Sequence, residues 1–281
     1  MMTVGNPGNL HDTNNVSQQY GAVSYLYKIG KYDVTGSQYT AFLNAVGSTD
    51  THGLYNTSMG TDTKVAQISR SGTTGTYTYA VMNSTGQRPI TYVSWFDCAR
   101  FANWMSNGQP RGAQISTTTE NGAYNVNGAT SGTAVAANAT NPNTNLAPTF
   151  RIPLENEWYK AAYYKGGNLN AGYWVYATES NTAPGTTMGS GAGNSNANYK
   201  SAYGTATDVG AFSSSGSFYN TFDQSGNVDQ WNDLDGTAGT NRGSRGGNWG
   251  SAAGSIQSSN RSTLIATTET RSLGFRLASP G

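Results

Sequence analysis

Five short motifs rich in Trp, Arg and Gly, distributed over most of the chain, constrain its fold more than any other feature. In chain order they are Pro89–Trp95, Phe150–Trp158, Gly226–Val228, Arg245–Trp249 and Gly274–Arg276. Large aromatic side chains bury much area and usually anchor a core. We therefore expect Trp158, Trp231 and Trp249 to be core residues. We expect the arginines to hold backbone carbonyls and carboxylates, Glu157 among them. These arginines are Arg151, Arg245, Arg261 and Arg276.

The composition indicates a folded chain with many loops. Charged residues make up 11% of the sequence, against about 25% in a typical protein. Disordered chains lack aromatic residues, whereas this one has 18 Tyr, 6 Trp and 8 Phe. A net charge of +1 without Lys/Arg clusters argues against a nucleic-acid partner. No segment approaches the roughly 20 apolar residues of a membrane span.

Periodicity and capping residues predict a small number of regular elements. Ser94, followed by Asp97 three residues later, is typical of a helix N-cap. Alternating residues predict a strand over 22–30, and residues 109–149 and 166–221 are expected to be largely irregular. The predicted helices cover about 37–47, 94–108 and 155–165.

The motif series resembles the formylglycine-generating enzyme (sulfatase-modifying factor) family, a variant of the C-type lectin fold. The family's Val-Thr-x-x-x-Tyr-x-x-Phe signature is matched by Val34, Thr35, Tyr39 and Phe42. The resemblance implies an α+β domain with short irregular β-strands, about three helices and much coil. We predict an irregular N-terminal arm over residues 1–20 and a single domain over residues 21–281.

The catalytic centre that this resemblance implies is missing. The family's oxidase uses a copper-bound cysteine pair just after its Arg-Gly-Gly-x-Trp motif. Residues 249–276 contain no cysteine, and the chain has a single cysteine, Cys98. Cys98 lies on the apolar stripe of the second predicted helix, where a free cysteine packs as a small hydrophobic residue. Without a thiolate there is no soft ligand for Cu(I) and no nucleophile, so we predict that the chain is not an enzyme.

The resemblance also implies a calcium ion. The family binds Ca²⁺ at positions that match Asp223, Gly226, Val228 and Gln230. Gln230 stands where the family has Glu, which removes one negative charge from a site for a cation that needs some. A second family site maps onto Asn198 and the carbonyl of Tyr199, with further ligands near Ser201 and Tyr203. The alternative is that Asp223 and Asn227 simply form turns.

A candidate binding surface lies between Trp249 and Gly274. In the variable proteins of diversity-generating retroelements, a branch of this family, the matching segment is randomised to create ligand-binding sites. The alternative is ordinary sequence drift in a non-catalytic member of the family. The predicted ligand-binding residues are Gly250, Ser251, Ala252, Ser255, Gln257, Ser258, Asn260, Leu264 and Thr268.

Three functions stay open at this point. The first is a non-enzymatic module that binds a protein or glycan ligand through its C-terminal segment. The second is a structural or decoration subunit that self-assembles in an extracellular or virion structure, and the third is a divergent oxidase. The Thr-, Asn- and Gly-rich composition favours an extracellular, virion or cell-surface location, and no signal peptide is visible at the N-terminus.

Overall fold

The computed structural model describes residues 1–14, 19–189 and 195–281. The α-helices of these residues are α1 (Gly36–Val46), α2 (Ser58–Thr61), α3 (Trp95–Ser106) and α4 (Glu155–Tyr163). The strands are β1 (Met2–Val4), β2 (Tyr27–Ile29), β3 (Ile68–Ser71), β4 (Thr78–Val81), β5 (Asp229–Asn232), β6 (Asn241–Arg245), β7 (Ser262–Ile265), β8 (Leu273–Gly274) and β9 (Ala278–Pro280).

Helix α1 forms where the capping residues predicted it. The Thr35 hydroxyl accepts a hydrogen bond from the Gln38 backbone N–H, and the Gln38 side chain accepts one from the Thr35 N–H. This reciprocal pair satisfies two N–H groups that the helix itself cannot pair. The buried face of α1 consists of Gly36, Tyr39, Thr40, Phe42, Leu43 and Val46.

Helices α3 and α4 also lie in the predicted segments, and each is shorter than predicted at its C-terminal end. Ser94 and Asp97 form the predicted capping box at the start of α3. Cys98 is fully buried within α3, as predicted. Glu157 accepts a hydrogen bond from the Leu154 N–H at 2.8 Å and thereby closes the first turn of α4. The three predicted helices are therefore confirmed.

The N-terminal residues differ from the predicted irregular arm. Met2–Val4 forms β1, which pairs antiparallel with β2, and β2 pairs in turn with β9. Asn9 and Asp12 are buried. The hydrogen-bond partners of this short strand lie in β2, which is distant in the sequence. Local periodicity therefore could not predict β1. Residues 15–18 of the predicted arm lie outside the described residues, and the strand predicted over 22–30 is shortened to β2.

The second sheet carries the C-terminal part of the chain. Its strand order is β7-β6-β5-β8, with β5 antiparallel to β6 and parallel to β8. β7 lies at the edge and pairs antiparallel with β6, from Asn241 opposite Ile265 to Ser244 opposite Ser262. Residues 246–261 form the long connection between β6 and β7, so this sheet holds both ends of the predicted binding segment.

The predicted tryptophan anchors lie in the core. Trp158 and Trp231 are fully buried, and Trp249 is 7% exposed. Among the elements not predicted are the β3–β4 hairpin, a single π-helical turn at Ser116–Glu120 and a 3-10 turn at Ala253–Ile256. The outcome is the predicted α+β fold with short strands and much coil. None of the helices in the described ranges is both long and apolar enough to cross a membrane.

Candidate binding surface

A buried carboxylate fixes the backbone of the connection between β6 and β7. Glu155, in the first turn of α4, accepts hydrogen bonds from Arg245 Nε at 2.7 Å and from Arg261 Nε at 2.8 Å. Arg245 is fully buried and also donates through Nη1 to the carbonyls of Ser258 at 3.0 Å and Asn260 at 2.9 Å. We call Glu155, Arg245 and Arg261 the arginine clamp. It holds the loop by the backbone carbonyls of Ser258 and Asn260.

A second buried arginine fixes the end of the chain. Arg276 pairs with Asp33 at 3.0 Å, and its Nε donates to Gln230 Oε1 at 2.6 Å. It also donates to the carbonyls of Gly30 at 2.9 Å and Phe222 at 2.7 Å. Arg151 likewise forms an ion pair with Glu157. The scaffold role predicted for the arginines is therefore confirmed.

The predicted ligand-binding positions differ in their access to solvent. Gly250 and Ala252 are exposed, whereas Ser258 is buried, with 8% of its surface exposed. The Ser258 side chain is therefore not available to a ligand in this conformation. The half-buried positions are Ser251, Ser255, Gln257, Asn260, Leu264 and Thr268.

These positions fall into two groups that contact different parts of the molecule. The loop group, residues 250–260, lies against the segment before β5. Gln257 Nε2 donates to Tyr176 Oη at 2.8 Å, and the Ser251 carbonyl accepts from the Lys200 N–H at 2.9 Å. The strand group is Leu264 and Thr268. Leu264 packs partly against the main core and stands opposite Arg242 in β6.

The structure adds to the surface residues that the sequence had not assigned to ligand binding. Ser201 donates its N–H to the Trp249 carbonyl at 2.7 Å, so residues 200–203 lie beside the loop group. Lys200 and Ser201 both have left-handed backbone conformations, with φ of 56° each. Non-glycine residues rarely adopt such conformations. Lys200 is exposed and Tyr203 is 36% exposed, so both side chains extend the loop group.

Of the four residues predicted to hold calcium, Gln230 has its side-chain oxygen engaged by protein donors. Gln230 Oε1 accepts hydrogen bonds from both Arg276 Nε at 2.6 Å and Trp158 Nε1 at 2.7 Å. An amide oxygen has two lone pairs, and these donors occupy both. Asp223 Oδ2 accepts from the Gly210 N–H at 2.7 Å. Gln230 therefore does not fit a metal ligand here.

A small cavity beside Asp223 offers different oxygen atoms. Its volume is about 10 Å³, enough for about one water or one ion. Asp223 and Asn198 both line it, and Asn198 Oδ1 accepts no hydrogen bond from any described residue. Across the described part of the chain, His, Cys, Asp and Glu form no cluster of three or more suited to a metal. A cation here would therefore depend on amide and carbonyl oxygens as well as on Asp223.

Burial raises the pKa values of two carboxyl groups near the candidate binding surface, those of Asp223 and Asp229. Burial raises the pKa of Asp223 to about 6, although the Gly210 N–H and Arg276 oppose the shift. Burial likewise raises the pKa of Asp229 to about 6, against a hydrogen bond from Asn248. Asn248 Nδ2 donates to Asp229 Oδ2 at 2.7 Å. Asp229 thus connects the first residues of the loop group to β5.

The single thiol, that of Cys98, is unsuited to the oxidase chemistry of the formylglycine-generating enzymes. Cys98 is fully buried, and burial raises the pKa of its thiol well above the usual value. A reactive cysteine needs the thiolate form and access to its substrate. Cys98 has neither property in this fold.

Comparisons with known proteins agree with the fold. The chain is similar to Treponema denticola variable protein 1, with 20% identity and a TM-score of 0.58, over 100% of this chain and 95% of that chain. It is also similar to CarF, with 18% identity and a TM-score of 0.53, over 100% of this chain and 97% of that chain. No curated protein matches the sequence. At these identities the two structures show a shared fold and nothing more.

The family assignment comes from the whole length of the chain. The family model of the sulfatase-modifying factor enzyme 1-like domain matches residues 4–280. The predicted family and the C-type lectin-like fold are therefore confirmed. This protein belongs to the family of sulfatase-modifying factor enzyme 1-like domains.

Proposed function

We propose that this protein is a non-enzymatic binding module whose loop group, apart from the buried Ser258, contacts a protein or glycan ligand together with Lys200 and Tyr203. The observation that carries the proposal is the arginine clamp: buried Arg245, paired with Glu155, donates two hydrogen bonds to the backbone carbonyls of Ser258 and Asn260. Binding sites of this kind need a rigid scaffold that presents variable side chains. Gly250 and Ala252 are exposed positions of the loop that take no part in the arginine clamp.

The chemistry of the surface favours adaptable recognition. Small polar side chains with nearby tyrosines form hydrogen bonds and aromatic contacts at low entropic cost, as antibody loops do. The loop group supplies Ser251, Ser255 and Gln257, and the adjacent segment supplies Tyr203. The resemblance to variable proteins of diversity-generating retroelements supports a diversified receptor at this surface. The ligand of each variant would then depend on its own loop side chains.

The experiment that tests the proposal is a binding screen with matched surface variants. The protein is applied to a glycan array and to a panel of purified cell-surface proteins. Any ligand found is then tested against Ala252→Arg and against Ala80→Arg, which changes an exposed residue in β4, outside the surface. We expect Ala252→Arg to weaken binding at least about tenfold and Ala80→Arg to leave it unchanged, with equal melting temperatures. Equal loss in both variants, or in neither, contradicts the proposal.

A calcium ion beside Asp223 is the cofactor we propose. The cavity there fits one ion, and Asp223 and Asn198 supply oxygens. Calcium usually takes six to eight oxygens, several of them charged, so a site with one carboxylate binds weakly. The ion would stabilise the turn before β5, because Asp223 has a left-handed backbone with φ of 62°.

Self-assembly is the second function that a specific observation favours. β7 is an edge strand, and Ile265 within it is 60% exposed. An exposed edge strand with an apolar side chain can pair with another chain. Light scattering across a concentration series tests this, with Ile265→Lys as the matched variant. A monomer at all concentrations would exclude assembly through β7.

A further inference from the structure

The segments that form the candidate binding surface contain basic residues and no acidic ones. Residues 180–207 and 237–268 include no Asp or Glu. Glu155 lies outside both segments, and Arg245 and Arg261 share its carboxylate. The arginine clamp therefore carries more positive than negative charge, and Arg261 is partly exposed.

Two lysine ammonium groups lie beside the loop group. Lys64 Nζ is 5.2 Å from the centre of the Trp249 ring. Lys200 Nζ is 4.9 Å from the centre of the Tyr199 ring, and Tyr199 belongs to the same buried cluster as Ile256 of the loop. Both lysines are exposed, and neither forms an ion pair with any residue in the described ranges. Both ammonium groups are therefore available to a ligand.

Neighbouring carboxylates do not balance these lysines. Asp62, two residues before Lys64 in the sequence, pairs with Arg271 at 3.0 Å. Asp229 accepts a hydrogen bond from Asn248, which is uncharged. The single negative charge of Asp229 is outnumbered by the positive charges of the clamp and the two lysines. The surface as a whole is therefore positive, and a charge-complementary ligand is anionic.

The side chains of the loop group suit a sugar better than a protein. Residues 250–260 contain one large apolar side chain, Ile256, and it is fully buried. Protein interfaces usually depend on aromatic or apolar anchors that fill pockets, and the loop itself offers none. It offers the hydroxyl groups of Ser251 and Ser255 and the amide of Gln257. These groups can donate and accept hydrogen bonds, as the hydroxyl groups of a sugar do.

We propose that the ligand of this surface is an acidic polysaccharide, whose carboxylate groups pair with Lys64 and Lys200 while its hydroxyl groups bond to the loop group. The assignment rests on the binding function proposed above and names the class of ligand. The ion pairs attract the polymer at long range, and the hydroxyl contacts select among sugars. Because one exposed ion pair contributes little, tight binding uses several charges along the polymer.

The test compares acidic sugars with uncharged sugars of the same structure. Oligogalacturonate and hyaluronan oligosaccharides, each together with its methyl ester, are titrated into the full chain by isothermal calorimetry. We expect saturable binding of at least one acidic sugar, with a dissociation constant at least about tenfold lower than that of its ester. Added salt should weaken this binding, because it screens exposed charges. No saturation by either acidic sugar, or equal binding of acid and ester, would overturn the proposal.

Variants of matched charge locate the bound sugar. Lys64→Gln and Lys200→Gln should each raise the dissociation constant about two- to fivefold, whereas Lys28→Gln, at an exposed position of β2, should leave it unchanged. Ala252→Trp obstructs the loop without adding charge and should weaken binding at least about tenfold. An effect of Lys28→Gln as large as those of the two surface lysines, or no effect of Ala252→Trp, would show that the sugar binds elsewhere and contradict the proposal.

Two further outcomes separate the class of ligand from the binding module itself. If poly-L-glutamate of similar length binds more tightly than both acidic sugars, the partner is an acidic peptide and the polysaccharide is excluded. If a ligand from the binding screen depends on Ala252 but binds equally to Lys64→Gln and Lys200→Gln, the binding module stands and the acidic ligand is wrong.

Discussion

The arginine clamp and the loop group that it holds are adjacent in space and opposite in character. In the clamp, charged side chains are buried and paired: Glu155 is 4% exposed and Arg245 is 1% exposed. In the loop group, small uncharged side chains such as Gly250 and Ala252 face solvent. Arg245 of the clamp donates hydrogen bonds to the backbone carbonyls of Ser258 and Asn260. Because these two contacts do not depend on side-chain identity, exposed positions such as Gly250 and Ala252 can change without loss of the clamp. Ser251 and Asn260, by contrast, also hold the loop through their own side chains.

The largest expected effect is the loss of the clamp carboxylate. Glu155→Gln leaves Arg245 buried without a negative partner, which costs about 3–5 kcal/mol in free energy of unfolding. Urea unfolding monitored by tryptophan fluorescence measures the change. Glu179→Gln, at an exposed position, is the control and should cost less than about 0.5 kcal/mol. A loss below about 1 kcal/mol for Glu155→Gln would show that the clamp does not set the stability of the loop.

Asp229, which connects the loop group to β5, should make the free energy of unfolding depend on pH. Its pKa is about 6 in the folded protein and about 3.9 in an unfolded chain. The folded state therefore binds the proton more tightly, and the stability that this proton contributes is lost as pH rises from about 4 through 6. Asp229→Asn carries no such proton. We expect its stability relative to the natural protein to increase by up to about 3 kcal/mol over that interval and to stay level above it. A difference that is flat between pH 4 and pH 7 would contradict this.

Two adjacent serines of the loop group differ in burial and should therefore differ in their tolerance of a larger side chain. Ser258 is buried and Ser259 is exposed. Ser258→Leu forces extra volume into a packed site and should cost about 1–3 kcal/mol. Ser259→Leu should change the free energy of unfolding by less than about 0.5 kcal/mol. Thermal unfolding of both variants makes the comparison, and equal losses would show that burial does not separate the two positions.

Calcium should have a modest effect. After treatment with EDTA, calcium at about five times its dissociation constant is expected to stabilise the protein by about 1 kcal/mol. Asp223→Asn should abolish this gain, because Asp223 is the carboxylate that lines the small cavity. Magnesium at the same concentration is the control for ionic strength. An unchanged melting temperature in the natural protein would exclude the proposed ion.

The smallest effect is expected at the exposed positions of the loop group. The φ of Gly250 lies outside the left-handed region, and the nearest atom to an added Cβ would be Asn248 Oδ1 at 3.4 Å, an ordinary contact. Gly250→Ser and Ala252→Arg should each change the free energy of unfolding by less than about 0.5 kcal/mol. Losses as large as that of Ser258→Leu would mean that these side chains serve the fold.

The sequence was sufficient where structure is local. Capping residues placed α1 and α3 within one or two residues of their starts, since Thr35–Gln38 and Ser94–Asp97 form bonds over three residues. The motif series identified the family and the core tryptophans. The sequence did not show that Ser258 is buried, because its environment comes from Val175 and Arg245, both distant in the chain. It also missed the residues around Lys200 and the position of Lys64 beside Trp249, which depend on tertiary contacts.

The most direct test of the central claim is deep sequencing of codons 245–276 in a clonal population of the source. If the clamp fixes a variable binding surface, substitutions will accumulate at the solvent-facing positions, Gly250 and Ala252 foremost. Arg245, Ser258 and Arg261 will stay unchanged, because the clamp and the buried site require them. A uniform sequence would exclude a diversified receptor. Substitutions at Arg245, Ser258 and Arg261 as frequent as those at Gly250 and Ala252 would contradict the separation of scaffold from surface.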